Sequence, residues 1–108
     1  NTVELICELY GQHLERNGRT GSLRILRHTC KSALERFGNK SIAEFKVFHV
    51  TEWLEAMAKP RVDGKGRTGR WNETYQSMAG RTLICALNWA KQQGLITRHC
   101  LEQKNHKL

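Results

Sequence analysis

Cysteines, histidines and tyrosines are the side chains of this chain that could carry redox, metal or nucleophilic chemistry. The four cysteines are Cys7, Cys30, Cys85 and Cys100. None forms a Cys-x-x-Cys pair, so a zinc site is not expected. Cys7 and Cys30 fall on or near apolar helix faces, where a free cysteine behaves as a small hydrophobe. We therefore expect buried or idle reduced thiols, as in a reducing cytosol, and no cofactor.

The histidines do not form a convincing catalytic or metal-binding set. His13 falls on an apolar helical stripe with Ile6, Leu9 and Leu14, so it is expected to face the core. His28 is expected to touch a phosphate at most. The histidines without a partner at site spacing are His49, His99 and His106. An enzymatic activity within this chain is therefore the least favoured function.

Positive charge is the strongest signal in the composition. The 108 residues include 18 Lys and Arg against 10 Asp and Glu, a net charge of +8. No acid stands between Glu15 and Glu35, or between Glu73 and Glu102. A basic balance of this size favours nucleic acid as a partner, ahead of acidic proteins and membrane surfaces.

The hydrophobic residues, 39% of the chain, are enough for one folded domain. No apolar run approaches the ~20 residues of a membrane span, and no signal peptide is visible. Because Asn1 is not an initiator Met, we expect the chain to be part of a longer protein. The expected location is the cytoplasm.

Hydrophobic periodicity predicts four helices, over residues 2–17, 20–37, 47–58 and 72–94. Thr2 and Asn72 are suited to cap the first and fourth helices, and Gly94 suits a left-handed position at the end of the fourth. Residues 61–70 are predicted to form a basic, glycine-rich loop that is mobile without DNA. No segment alternates at period two, so no sheet is expected.

These elements predict an all-α domain, four helices of unequal length around one core, over residues 1–96. Ile42 and Phe45 are expected to tuck into that core, and Leu95-Ile96 to fold back on it. Residues 97–108 are predicted to be a polar linker.

The second and fourth helices each combine an apolar stripe with a polar, basic face. In the fourth helix Ala79, Leu83, Ala86 and Ala90 share the apolar side, with Leu87 at its edge. Two such helices in one small bundle can present a single positive surface, whose Lys and Arg release counterions from DNA phosphates. The residues predicted to contact DNA are Arg19, Thr20, Arg24, Arg27, His28 and Lys31 near the second helix, Lys65, Arg67 and Arg70 in the loop, and Asn72, Thr74, Ser77 and Arg81 near the fourth.

Several runs of residues resemble the N-terminal DNA-binding domain of tyrosine recombinases, the phage-integrase family. The end of that domain is matched by Leu83-Ile84-Cys85-Ala86-Leu87-Asn88-Trp89-Ala90 followed by Gly94-Leu95-Ile96. Earlier parts of it are matched by Thr2-Val3-Glu4-Leu5 with Tyr10, and by Phe37-Gly38, Ile42, His49-Val50 and Trp53-Leu54. The resemblance covers nearly the whole chain, but His99-Cys100 stands where the family often has Asn-Pro.

The resemblance implies a SAM-like orthogonal bundle of four to five helices that binds double-stranded DNA as one arm of a clamp. It implies that the second and fourth helices enter the major groove. A C-terminal catalytic domain of the same chain would form the other arm, and other recombinase protomers would share the DNA. The implied source is bacterial or phage-derived, with the protein at the nucleoid when it is bound.

The family's catalytic residues, an Arg, a Lys, a His-x-x-Arg and a nucleophilic Tyr, belong to the following domain. This chain is therefore not expected to be an enzyme by itself. Its own His13-Leu14-Glu15-Arg16, with Tyr10 and Tyr75, is interpreted as a coincidence because His13 falls on the apolar stripe.

A helical protein-interaction module is the competing hypothesis, with the basic face meeting an acidic partner. Binding to a random duplex across a salt series separates the two, because counterion release makes DNA affinity fall steeply with salt.

Overall fold

A computed structural model describes residues 2–59, 61–62 and 68–101 of the chain. Within these residues the chain forms four α-helices and one two-stranded sheet. They are α1 (Val3–Arg16), α2 (Thr20–Phe37), α3 (Val47–Ala58), β1 (Arg61–Val62), β2 (Thr68–Gly69) and α4 (Glu73–Gln92). Every helix begins and ends within two residues of the predicted range, and the all-α class is confirmed at this level.

Side-chain caps fix the starts of α1 and α4. The Thr2 hydroxyl oxygen accepts the N–H of Leu5 at 3.2 Å, and Asn72 Oδ1 accepts the N–H of Tyr75 at 2.8 Å. Each bond satisfies one of the amide groups that the first turn of a helix leaves without a partner. Both capping predictions are confirmed.

A left-handed glycine ends α4. Gly94 has a φ of 78°, and its N–H donates to the Lys91 carbonyl at 3.1 Å. The N–H of Leu95 reaches back to the Ala90 carbonyl at 3.0 Å, which completes a Schellman motif. The same pattern ends α1, where Gly18 has a φ of 68°.

The core receives large side chains from every helix and from the turn before α3. The largest fully buried hydrophobic side chains are Trp53, Phe37, Phe45, Ile6, Leu14, Leu83 and Leu87. Trp53 also donates its indole N–H to Ser32 Oγ at 3.0 Å, so its polar atom is satisfied inside the core. Phe45 is buried as predicted, while Ile42 is only partly buried.

The segment after α4 packs further along the core than the predicted linker allows. Ile96 and Leu101 are both buried, and so is His99 between them. The Leu101 N–H donates to His99 Nδ1 at 3.1 Å, so the proton lies on Nε2, 2.7 Å from Asn88 Oδ1. The packed domain therefore continues to at least Leu101. His99 can be buried in this polar-looking segment because both of its ring nitrogens are satisfied, while Thr97 and Arg98 stay exposed.

The expectation of no sheet is wrong in one place. β1 and β2 are antiparallel, with Arg61 opposite Gly69 and Val62 opposite Thr68. Strands of two residues are too short for a period-two pattern to be visible. Residues 63–67, on which much of the prediction of a mobile loop rests, lie outside the described residues.

None of the described helices is long and apolar enough to span a membrane.

Gly11, in the middle of α1, gives a test of the α1–α2 packing. A methyl group added there would lie 3.6 Å from Leu23 Cδ1 and Leu26 Cδ2, at ordinary van der Waals distance. We expect Gly11→Ala to raise the free energy of unfolding by about 0.5–1 kcal/mol, because glycine is a poor helix-interior residue. Urea denaturation measures the change.

The matched control is Gly18→Ala at the end of the same helix. Its φ of 68° disfavours a side chain, so the same substitution should destabilise by roughly 1 kcal/mol. A loss of stability in Gly11→Ala would contradict this prediction. It would mean that α1 and α2 lie too close together at Gly11 to accept a methyl group.

Candidate nucleic-acid interface

The N-terminal half of α2 lies beside α4 and runs in the opposite direction. Edge-on contact joins His28 to Tyr75 near the start of α4, with ring centroids 5.7 Å apart. At the other end, Tyr10 packs against Trp89 at 5.6 Å. Burial raises the pKa of Tyr10, and Arg19 is close enough to oppose that rise. The first turn of α2 is thus near the later part of α4, and His28 is near its beginning.

Most of the described residues that were predicted to contact DNA lie on the outer side of this helix pair. We call them the α2–α4 face, which consists of Arg19, Thr20, Arg24, His28, Arg70, Thr74, Ser77 and Arg81. All eight are exposed. Four of them are arginines, and the surface stays positive when the neighbouring exposed Glu73 of α4 is counted.

The outer side of α4 is a regular stripe of polar side chains. Thr74, Ser77 and Arg81 follow one another at spacings of three and four residues, which places them on one side of a helix. Arg81 Nε donates to the Ser77 carbonyl at 3.4 Å. That bond involves only one of the five guanidinium N–H groups. The Nη donors at the end of the side chain can therefore bind another partner.

Arg27 and Lys31 are exposed but lie close to acids of α1, and Arg27 also lines a second groove with Thr20, Arg24 and His28. Both line a groove between α1 and α2 together with Glu8 and Glu15. Arg27 Nη2 is 3.9 Å from Glu15 Oε2, and both side chains are highly exposed. The acid-free window along α2 therefore does not leave all of its bases unopposed, because α1 supplies the acids. An exposed ion pair of this length contributes little stability, so Arg27 can exchange its partner.

Asn72 is first of all a helix cap. Its Oδ1 is occupied by the N–H of Tyr75, so only its amide nitrogen is left to donate to a phosphate. Lys65 and Arg67, also predicted to contact DNA, lie outside the described residues.

A column of aromatic rings connects the α2–α4 face to the core. Phe37 and Trp53 meet edge-on at 5.9 Å, and Trp53 meets Trp71 in the same way at 5.6 Å. Trp71 contacts Tyr75 at 4.7 Å, and Tyr75 contacts His28. The column places the start of α4 against α2 and α3.

Trp71 and Tyr75 hold the start of α4 in this position, a role that was not predicted from the sequence. The Trp71 N–H donates to the Met57 carbonyl at 2.8 Å, and Gln76 Nε2 donates to the Trp71 carbonyl at 3.0 Å. The neighbouring Arg70 is thereby held at the edge of the face. An available signal was the aromatic residue directly before the capping Asn72, a position that often packs on the first turn.

His13 belongs to a second aromatic cluster, on α1 and α4. Its ring centroid lies 6.1 Å from that of Tyr10 and 5.1 Å from that of Trp89. Asn17 Nδ2 is 3.4 Å from His13 Nδ1 and donates to its carbonyl at 2.7 Å. The position of His13 is therefore explained by its packing against Tyr10 and Trp89 and by its contact with the amide of Asn17.

The described residues contain no group of three or more His, Cys, Asp or Glu side chains that could hold a metal ion. No protein-family model, curated protein or solved structure matches the chain.

Replacing Asn72 tests its role as the cap of α4. We expect Asn72→Ala to lower the free energy of unfolding by about 1 kcal/mol, because the N–H of Tyr75 loses its acceptor. Asn72→Ser keeps an acceptor at the cap and should stay within about 0.5 kcal/mol of the unsubstituted protein. Urea denaturation measures both. An equal loss in the two variants would mean that Asn72 stabilises α4 by something other than the cap.

Proposed function

We propose that this chain is a double-stranded DNA-binding domain and that the α2–α4 face is its contact surface. The observation that carries the proposal is that Arg19, Arg24, Arg70 and Arg81 are all exposed, on or beside two helices that contact each other through His28 and Tyr75. The net charge of +8 has the same sign, so long-range attraction supports the local arrangement. The nearest acids along the helices are Glu35, which follows Lys31 by one turn, and the first residue of α4, Glu73.

The physical mechanism has two parts. Arginines bind phosphate oxygens through charge-assisted hydrogen bonds and release condensed counterions, which provides affinity for any sequence. An α-helix about 10–12 Å across fits the major groove of B-DNA. The stripe formed by Thr74, Ser77 and Arg81 on α4 could then reach base edges, where arginine binds guanine with two hydrogen bonds.

Within this class we propose the N-terminal arm of a site-specific recombinase of the phage-integrase type, with a SAM-like orthogonal arrangement of its helices. Two features support it: the order of the resembling runs along the chain, and the adjacency of the second and fourth helices. The proposal includes a catalytic domain in the same protein and other protomers on the same DNA. Strand cleavage and rejoining would belong to that catalytic domain.

Arginine substitutions on the α2–α4 face test the proposal. We expect Arg24→Ala and Arg81→Ala each to weaken binding to a random duplex and to lower the slope of log affinity against log salt by about one unit. Arg27→Ala should have a smaller effect, because in the free protein Arg27 is beside Glu15. Fluorescence anisotropy of a labelled duplex across a salt series gives both quantities.

Arg98→Ala is the matched control, because Arg98 is also exposed but lies beyond the end of α4. It should leave the salt slope unchanged. Equal effects from all four substitutions would contradict the assignment of DNA binding to the α2–α4 face. If the protein bound no duplex even at low salt, the proposal of DNA binding would be wrong, and an acidic protein would be favoured as the partner.

Thr74 and Ser77 test the second part of the mechanism. Neither is charged, so replacing both with Ala should change affinity for a random duplex little. The set of sequences recovered by selection from a randomised duplex pool should change, because these side chains are assigned to base edges. An unchanged set, together with weaker binding everywhere, would reassign both residues to the phosphate backbone.

A further inference from the structure

Two buried cysteines face each other across the α1–α2 contact. Cys7 is on α1 and Cys30 on α2, and each is only 5% exposed. Their Sγ atoms are 3.6 Å apart and share an S–H···S hydrogen bond. Both are free thiols. The 22 residues that separate them in sequence gave no sign of this pairing, which depends on how the two helices pack.

The distance is suitable for oxidation. A disulfide bond is about 2.05 Å long, so the two sulfur atoms would have to approach by about 1.5 Å. Both sulfurs already point to the same place between two neighbouring helices. Rotation about the Cα–Cβ bonds and a small helix shift can supply that movement.

A groove gives an oxidant access to the two thiols. Both cysteines line the α1–α2 groove, whose volume of about 560 Å³ admits a small oxidant. Arg27 and Lys31 line it beside Glu4, Glu8 and Glu15, so its charges are mixed and the proposal rests on the distance between the two sulfurs. The hydrogen bond with Cys7 lowers the pKa of Cys30. That bond, followed by burial, raises the pKa of Cys7. We assign Cys30 as the thiol that reacts first, and the two single variants test that order.

We propose that Cys7 and Cys30 form a redox-active dithiol that a hydroperoxide oxidises to an intramolecular disulfide joining α1 to α2. The inference is independent of DNA binding.

The reaction has two steps. The Cys30 thiolate attacks an oxygen of the hydroperoxide. The S–O bond forms, the O–O bond breaks, and the departing alkoxide takes up the proton that Cys30 released and becomes an alcohol. Cys7 then attacks the sulfenic sulfur of Cys30. The S–S bond forms, the S–O bond breaks, and hydroxide leaves with the Cys7 proton as water. Two electrons pass from the sulfurs to the peroxide.

Mass spectrometry of the folded protein, treated with limiting hydrogen peroxide, is the direct test. We expect a product two hydrogen atoms lighter than the starting chain, in which the Cys7 and Cys30 peptides are linked and which dithiothreitol reverses. Exposed Cys85 is an internal control, because its oxidation shows that the oxidant was active. In a Cys85→Ser variant, two protein molecules cannot be linked by a disulfide at position 85, so the intramolecular product can be measured alone.

Two single variants test the order of the steps. In Cys7→Ser, Cys30 should still react and be trapped by dimedone as a sulfenic acid. In Cys30→Ser, Cys7 should stay reduced under the same conditions. The inference fails if Cys85 of the unsubstituted protein is oxidised while Cys7 and Cys30 remain free thiols or carry only separate oxygen adducts. That comparison needs no variant to fold.

Discussion

Edge-to-face packing between Trp53 and Trp71 sets the position of α4. Trp53 is buried at the centre of the domain, and Trp71 stands directly before the residue that caps α4. An aromatic pair of this kind contributes about 0.5–1.5 kcal/mol beyond the area it buries. Here it also has a geometric consequence. The Trp71 N–H is bound to the end of α3, so the chain can enter α4 in only one direction. Since α4 carries Thr74, Ser77 and Arg81, the orientation of the proposed DNA-contacting stripe depends on this contact.

The charges are distributed so that the α2–α4 face is available. Acids on α1 lie beside Arg27 and Lys31, on the flank of α2 that α1 covers. Arg24 and His28 line a second groove, which Arg27 also reaches, and His28 contacts Tyr75 of α4. The exposed Arg27–Glu15 ion pair contributes little to folding, so its main effect is that the charge of Arg27 is partly opposed in the free protein. Within α4 the one acid is Glu73, in its first turn, so fewer acids oppose the bases on the α4 side than on the α1 side.

Local signals predicted the elements well, and contacts distant in sequence were predicted poorly. Thr2, Asn72 and Gly94 were identified because capping depends on a few neighbouring residues. The burial of His99 was missed because its partner Asn88 is on the preceding helix and the apolar Leu101 stands alone in a polar segment. The Arg27–Glu15 pair was missed for a similar reason, since the absence of acids along α2 reveals nothing about α1. The exposure of Arg24, Thr74 and Arg81 was predictable because a helical period fixes which side of each helix is apolar.

α2 serves two purposes on two sides. Its buried side places Cys30 against Cys7, and its exposed side carries Arg24 and His28. Cysteine is small enough to let the two helices approach closely, and unlike alanine or serine it can form a covalent bond there. A bond at Cys30 would restrain the side of the helix that packs against α1, whereas Arg24 and His28 are exposed. The cysteine pair and the exposed bases are therefore different sets of residues, although they share one helix and Arg27 lines the groove of each.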